Sequence, residues 1–234
     1  MISIVIPVLN EIDTIGNLLR YLSETASSQN ISEILVVDGG STDGTQETIT
    51  QFSATSSIPI LLIHSEKGRA KQMNFGAEKA QGRILYFLHA DSLPPKGFDD
   101  SILSEVKKGH QAGCFRMKFD SNHPVLRFSQ WFTKFNLKMC RGGDQSLFVT
   151  QKVFEELGAF DPSYTIYEDC ELIGRIYDNY KFVVINDYLT TSARKYRQNG
   201  TMKLQYHFTV IHLKKFLGAS PENLNLYYRK NIVS

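Results

Sequence analysis

The stretch ILYFLHADS, residues 84–92, carries an apolar and aromatic run up to His89 and Asp91, with Pro94 and Pro95 just beyond. An imidazole and a carboxylate two positions apart at the end of a strand pose a choice between a metal site and the frayed end of a strand. His89 taken alone reads more readily as a hydrogen-bonded structural side chain than as a ligand. Polar groups also follow three earlier apolar runs: Asn10 and Glu11 after ISIVIPV, Asp38 after EILVVD, and Glu66, Lys67 and Arg69 after IPILLIHS. Carboxylates mixed with Lys67, Arg69 and Lys71 suit a ligand with hydroxyls and phosphates, part of whose charge an ion neutralises. GGSTDG, residues 39–44, lacks the Lys-Ser/Thr ending of a phosphate loop, which argues against a P-loop NTPase.

These groups can converge only if the runs that carry them lie side by side. ISIVIPV is near-continuously apolar, as in strands covered on both faces, and Ile15, Leu18, Leu19 and Leu22 follow it at helical spacing, with Asn10 or Asp13 available as N-cap. EILVVD precedes a Gly-rich turn and a helical stretch holding Ile49 and Phe52. After IPILLIHS, a helix places Ala70, Met73, Ala77 and Ala80 on one side before Gly82 ends it. With ILYFLHAD as the fourth strand, the alternation predicts an α/β, Rossmann-like, largely parallel sheet with helices on both faces, whose ligands lie beyond the carboxyl ends of the strands. Later residues are less regular, and the sheet is expected to become mixed. CFRMKF alternates as a half-exposed strand, and residues 124–140 place Val125, Phe128, Phe132, Phe135 and Met139 at helical spacing. SLFVT leads into a short helix closed by Gly158, EDCELIGRIYD reads as a helix, and KFVVIN and YLTTSARKY read as two strands. A last helix, 201–217, is apolar on two sides. No repeat or linker divides the chain, so one domain, 1–234, is expected.

Composition bounds the partners. The chain has 234 residues, 42% hydrophobic and 12% aromatic, enough for a packed core. Its net charge of +2 points to no nucleic-acid partner, yet the charge is uneven: residues 1–60 hold seven acids and one base, residues 181–234 two acids and nine bases. Cys114, Cys140 and Cys170 are odd in number and lack CxxC spacing, so a disulfide framework is not indicated and a reducing compartment fits. MISIVIPVLNEID does not read as a signal peptide, and no run reaches the ~18–20 apolar residues of a membrane span. A cytoplasmic location, with the membrane's cytoplasmic face as the alternative, is the expectation.

SIVIPVLNE, VVDGGSTDGT, GRAKQMNFGAEKAQG, YFLHAD, GGDQSLFVTQKVFEELGAFD and YEDCEL occur in that order. Together they resemble the family 2 glycosyltransferases, nucleotide-sugar-dependent enzymes with the GT-A fold, and look most like small single-domain bacterial members whose metal motif reads His-Ala-Asp. The resemblance covers roughly residues 1–175. It implies a metal-dependent inverting transferase, using Mn2+ or Mg2+, that moves a sugar from a UDP- or GDP-sugar donor to an acceptor hydroxyl. Residues 1–92 would form the nucleotide-binding half, 93–200 the acceptor and catalytic half, and 201–234 a C-terminal helical segment. Pro7, Glu11 and Asp38 match the groups that hold the nucleoside, and Lys67, Arg69 and Asn74 those near ribose and diphosphate. Asp91 matches the metal ligand. His89 departs from the family's usual Asp and is expected to hydrogen-bond ribose or phosphate rather than the ion.

Glu168-Asp169 matches the family's acid pair, downstream of the Gly142–Gln145 turn, with Asp169 as general base across the crevice from Asp91. The alternative is two acids decorating a helix amino terminus. Arg194, Lys195 and Arg197 match the basic stretch that screens the diphosphate only loosely and read equally as surface charges. The final helix, with Lys214 and Lys215, could rest on a membrane that holds a lipid-linked acceptor, or pack against the domain or another subunit. The competing functions are a sugar nucleotidyltransferase, which would carry a Gly-rich basic loop where VLNEID stands, and a nucleotide-sugar-binding module without catalysis.

Overall fold

The structure is a computed structural model that describes residues 1–142 and 145–232. Gly143 and Asp144, within the turn noted above, lie outside the described residues. Strands β1 (Ile2–Val8), β2 (Ile31–Asp38), β3 (Ile60–His64) and β4 (Ile84–Phe87) lie parallel in the order β3-β2-β1-β4. Helices α1 (Ile12–Thr25), α2 (Thr45–Ser53) and α3 (Arg69–Lys79) connect them.

The period of two in these strands sorts their side chains between two cores. Ile4, Ile6, Ile34, Val36 and Tyr86 share one cluster with Leu18, Leu19 and Leu22 of α1 and Ile49 of α2. Val5, Leu35, Val37, Leu85 and Phe87 share the other with Ala70, Met73 and Ala77 of α3. Helices therefore cover both faces, which is why these strands read as continuous apolar runs. The close packing of α3 on the sheet rests on Gly76, where a Cβ would fall 2.5 Å from Val5 Cγ1 and 2.9 Å from Val37 Cγ2.

The second half adds β5 (Ser92–Leu93), α4 (Phe98–Lys107), β6 (Ala112–Phe119), α5 (Pro124–Trp131), β7 (Leu147–Thr150), α6 (Gln151–Glu156), α7 (Glu168–Asn179) and β8 (Phe182–Thr191). These extend the sheet to β3-β2-β1-β4-β7-β6-β8-β5. β7 runs antiparallel to β4 and β6, while β8 runs parallel to β6, so the sheet is mixed as expected. Among the described residues three helices follow β8: α8 (Arg194–Asn199), α9 (Thr201–Phe216) and α10 (Pro221–Asn231).

Several expectations need correction here. The helix expected over 124–140 stops at Trp131 and gives way to 3-10 turns at Phe132–Lys134 and Lys138–Cys140. The cause lies in β6, which β7 partners only at Ala112 and Gly113. Further along β6, the Met117 N–H finds Thr133 Oγ1 at 3.1 Å and the Phe119 N–H finds Gln130 Oε1 at 3.0 Å. Satisfying these donors draws residues 130–133 onto the strand and ends the regular helix. KFVVIN and YLTT belong to one strand, not two: register slips between Phe115–Ile185 and Arg116–Tyr188, which leaves Asn186 and Asp187 as a bulge. The residues after it, expected as strand, form α8. The expected final helix is α9, and α10 follows it; Ile211 of α9 packs with Leu224 of α10, so one of its faces is internal. Among the described residues no helix is long and apolar enough to cross a membrane.

Candidate active site

The first rim of the site is a pair of laced loops. β1 ends at Val8, and Asn10 takes a left-handed conformation with φ 55°. Its side chain does not cap α1; Asn10 Oδ1 accepts from the Thr42 N–H at 2.9 Å, and the Asn10 N–H donates to Ser41 Oγ at 2.9 Å. Asp43 Oδ2 takes the Ile12 N–H instead, so the cap of α1 comes from the neighbouring loop, not from Asn10 or Asp13. Asp38 is buried at the end of β2 and accepts from the Gly40 N–H at 3.0 Å, the Ser41 N–H at 3.1 Å and Gln46 Nε2 at 2.8 Å. Burial works to raise its pKa, but hydrogen bonds from Ser41, Gly40 and Gln46 outweigh it and hold the carboxyl below the usual range. Asp38 thus braces the loop from beneath.

Beside these loops opens a cavity of about 1410 Å3, lined by Pro7, Glu11, Lys67, Arg69, Glu168 and Asp169 among others. Lys67 and Arg69 come from the start of α3, where backbone N–H groups and the helix dipole favour an anion. Glu168 and Asp169 open α7 and are 1% and 4% exposed. Arg69 Nη1 lies 3.2 Å from Glu168 Oε1 and so ties the two helix starts together across the cavity wall. Glu168 Oε2 is buried without a hydrogen-bond partner among the described residues. The preceding residue, Tyr167, sits at φ 73°, a left-handed conformation that costs a bulky side chain about 1 kcal/mol or more. His89 Nε2 stands 3.7 Å from Asp169 Oδ2, close enough for charge interaction and too long for a hydrogen bond.

Asp91 is placed differently. It lines a second hollow of about 190 Å3 with Asp13, Thr14 and Asp120, not the large cavity that Asp169 lines. Its backbone is pinned there, since the Ser192 N–H donates to the Asp91 carbonyl at 3.1 Å and Ser92 pairs with Thr191 in the sheet. Arg194 joins the two hollows: its guanidinium meets Glu11 Oε2 at 2.9 Å, and its pKa is raised by the hydrogen bond to Glu11 and by the charges of Glu11, Asp91 and Asp13. Among the described residues, no three His, Cys, Asp or Glu side chains converge to hold an ion by themselves. A Mg2+ or Mn2+ ion that bridges substrate phosphates needs only one or two carboxylates, and Asp91 can serve as one.

Asn74, expected beside ribose or diphosphate, is engaged elsewhere. Its Nδ2 donates to the Phe160 carbonyl at 2.8 Å and its Oδ1 accepts the Phe160 N–H at 3.0 Å, which clamps α3 to the segment before α7. Gln72, not among the residues expected at the site, is a buried amide that donates to the carbonyls of Val8 at 2.8 Å and Val37 at 2.7 Å and so locks the ends of β1 and β2. A polar residue among the apolar positions of α3 was its only signal. Also overlooked was the cavity wall formed by α9 and α10, which supplies Phe208, His212, Tyr228 and Arg229. Buried Arg141 donates to Gln145 Oε1 at 2.8 Å and to the Thr133 carbonyl at 2.9 Å, holding the turns after α5 in place.

Comparison with known proteins bears on this arrangement. The family model described as Glycosyl transferase family 2 matches residues 3–156. Glycosyltransferase AglE of Haloferax volcanii is 30% identical over 174 residues, 70% of this chain and 57% of that protein. An undecaprenyl-phosphate 4-deoxy-4-formamido-L-arabinose transferase of Pseudomonas fluorescens is 30% identical over 112 residues, 46% of this chain and 33% of that protein. The chain thus spans about half or less of the length of these curated relatives. In fold, it matches the mannosyltransferase PcManGT of Pyrobaculum calidifontis, solved with GDP-Man and Mn2+, at a TM-score of 0.71 and 19% identity, over 97% of this chain and 69% of that one. The architecture is that of the GT-A glycosyltransferases.

Proposed function

The chain belongs to glycosyl transferase family 2, and from that premise we propose that it transfers a sugar from a nucleoside diphosphate sugar to an acceptor hydroxyl, with inversion at the sugar carbon. The observation that carries this reading is Asp169: a buried carboxylate in the wall of a cavity whose lining holds Lys67, Arg69, Lys71, Arg141, Lys195 and Arg229 against three carboxylates among the described residues. A surplus of fixed cations suits a diphosphate, and a carboxylate held at a helix start suits proton removal.

In this scheme Asp169 takes the acceptor's proton as its oxygen attacks from the face opposite the diphosphate. Lys67, Arg69 and Lys195 stabilise the charge that grows on the departing nucleotide. Pro7 and Glu11, on the loop braced by Asp38, flank the nucleoside, and Arg194 turns from Glu11 toward the diphosphate. His89, beside Asp169, faces the sugar and phosphate. A bound Mn2+ or Mg2+ would neutralise part of the diphosphate charge, with Asp91 as its protein ligand. The donor is a UDP- or GDP-sugar, a reading supported by structural neighbours solved with UDP, with UDP-GlcNAc and with GDP-Man. The acceptor is carried on a lipid, a reading supported by the relative named for undecaprenyl phosphate.

Thermal shift with UDP, GDP and dTDP, each with and without Mn2+, tests the donor half. One nucleotide should stabilise the chain, and more so with the ion; if none does, Asp91 loses its role. Asp169→Asn should bind that nucleotide as the parent does and transfer about a thousandfold more slowly. Transfer by that variant at the parent's rate would remove Asp169 as the base.

A further inference from the structure

The break after α5 has a second effect: it leaves aromatic side chains outside the core. Phe128, Trp131, Phe132 and Phe135 contact one another edge to face or tilted, with ring centroids 5.1 Å apart for Phe128–Phe132, 5.2 Å for Trp131–Phe132 and 4.9 Å for Trp131–Phe135. Phe128 is 66% and Trp131 48% exposed, and Leu137 and Met139 extend the patch, Met139 at 85%. Lys134 Nζ lies 3.9 Å from the Trp131 ring centroid and 4.9 Å from that of Phe135. We propose that this cluster docks the protein on an anionic lipid bilayer and so presents a lipid-borne acceptor to the cavity that holds Asp169; the second clause rests on the transferase reading above.

Charge selects the occupant. Residues 121–142 contain four Lys or Arg and no Asp or Glu, and residues 188–221 contain six and none. The two stretches are neighbours in space, because Leu126 of α5 packs with Leu204 and Phe208 of α9. Among the described residues Arg127 and Lys134 make no ion pair, whereas Arg141 is buried and Lys138, Arg194 and Arg197 are paired with Asp178, Glu11 and Asp120. Aromatic rings with an apolar body among unpaired cations match the boundary between headgroups and acyl chains. A second copy of the chain fits less well. The four rings with Leu137 and Met139 expose roughly 650 Å2, given ~200 Å2 for a whole large side chain, short of the ~800 Å2 per partner that a stable dimer buries. The patch also runs into the cavity, since Phe128, Phe132 and Met139 line it together with Asp169. An acceptor held in a bilayer would therefore meet apolar side chains in the lining of the same cavity that holds the proposed base.

Trp131 is the only tryptophan of the chain, so its emission reports on this patch directly. The full chain is titrated with vesicles of phosphatidylcholine alone and of phosphatidylcholine with phosphatidylglycerol, and co-sedimentation is measured alongside. The expected result is a blue shift of the emission, quenching by bromine-labelled acyl chains, and partition about tenfold tighter onto the anionic vesicles. Neither Trp131 nor Phe135 lines the cavity, so the double variant Trp131→Ser/Phe135→Ser should keep the nucleotide-dependent thermal shift while losing partition about tenfold or more. Leu61→Ser, on exposed strand β3 away from the patch, should change nothing. Three results would overturn the proposal: emission unmoved at saturating anionic lipid, undiminished sedimentation of a folded double variant, or a lipid-independent dimer in which Trp131 is already shielded. Vesicle binding is read without donor or acceptor, so it stands or falls independently of transfer.

Discussion

The parallel half of the sheet and the wall that faces it are held together in different ways. In the first half β1, β2 and β4 are sandwiched between helices, and the two large clusters that fill the sheet's faces run through them without interruption. The opposing wall depends on two small clusters, one around Met117, Leu126, Tyr196 and Leu204 and one around Tyr164, Ile211 and Leu224. The loops after β1 and β2 are laced by short hydrogen bonds through Asn10, Asp38 and Asp43, whereas α9 leaves Tyr206, Leu213 and Phe216 exposed. In the proposed reading, a firmly packed frame would grip the nucleotide and a wall anchored by smaller clusters would admit the acceptor, two mechanical tasks divided between separate cores.

The largest effect that tests this division is chemical. Asp169→Asn should lower the transfer rate by about a thousandfold, within the range for removal of a general base, while calorimetry finds donor affinity unchanged. A joint loss of donor affinity would show that the acid pair belongs to the nucleotide side. Next come the cores. Leu19→Ala removes a side chain buried in the main cluster and should cost about 3 kcal/mol of global stability in urea melts. Leu204→Ala should instead speed amide exchange in α9 before global unfolding, because its cluster is small. Equal global losses from the two would mean that the wall is as firmly built as the frame.

A smaller change is expected at the link between the two. Arg69→Met leaves the buried Glu168 carboxylate without its cation, at a cost of about 1–2 kcal/mol, moderated because Arg69 itself is partly solvated. The smallest concerns pH. Asp38 is held below its ordinary pKa in the fold, so the unfolded chain binds its proton first as pH falls. Its contribution is complete above about pH 4 and disappears as pH drops through the folded value. Asp38→Asn should lower stability at neutral pH by about 1 kcal/mol and flatten the decline below pH 4 in acid melts.

Much of the frame was legible because its signals are local. ISIVIPV, EILVVD and IPILLIHS became strands β1 to β3 within two residues at each end, and Ile15, Leu18, Leu19 and Leu22 form the buried stripe of α1. The polar ends of those strands also gather on one side of the sheet, since Pro7, Glu11, Lys67 and Arg69 line one cavity. Asn74 and Asp91 show where that reasoning ended. Residue type suggested a ligand for each, but Asn74 is claimed by the backbone of Phe160, 86 positions away, and Asp91 is aligned by the strand pairing of Ser92 with Thr191.

Sequence alone determined the alternation of strand and helix, the two-sided burial of the parallel strands and the acid and base types available at their ends. Each of these depends on residues a few positions apart, where hydrophobic period and capping chemistry act. Tertiary structure alone decided that the helix begun at Pro124 gives way to turns after Trp131, that His89 stands beside Asp169, and that Asp91 and Asp169 line different hollows. In each case a donor, a carbonyl or a charge from a distant segment outweighs the local preference, because a buried polar group left unpaired costs more than a few residues of regular helix.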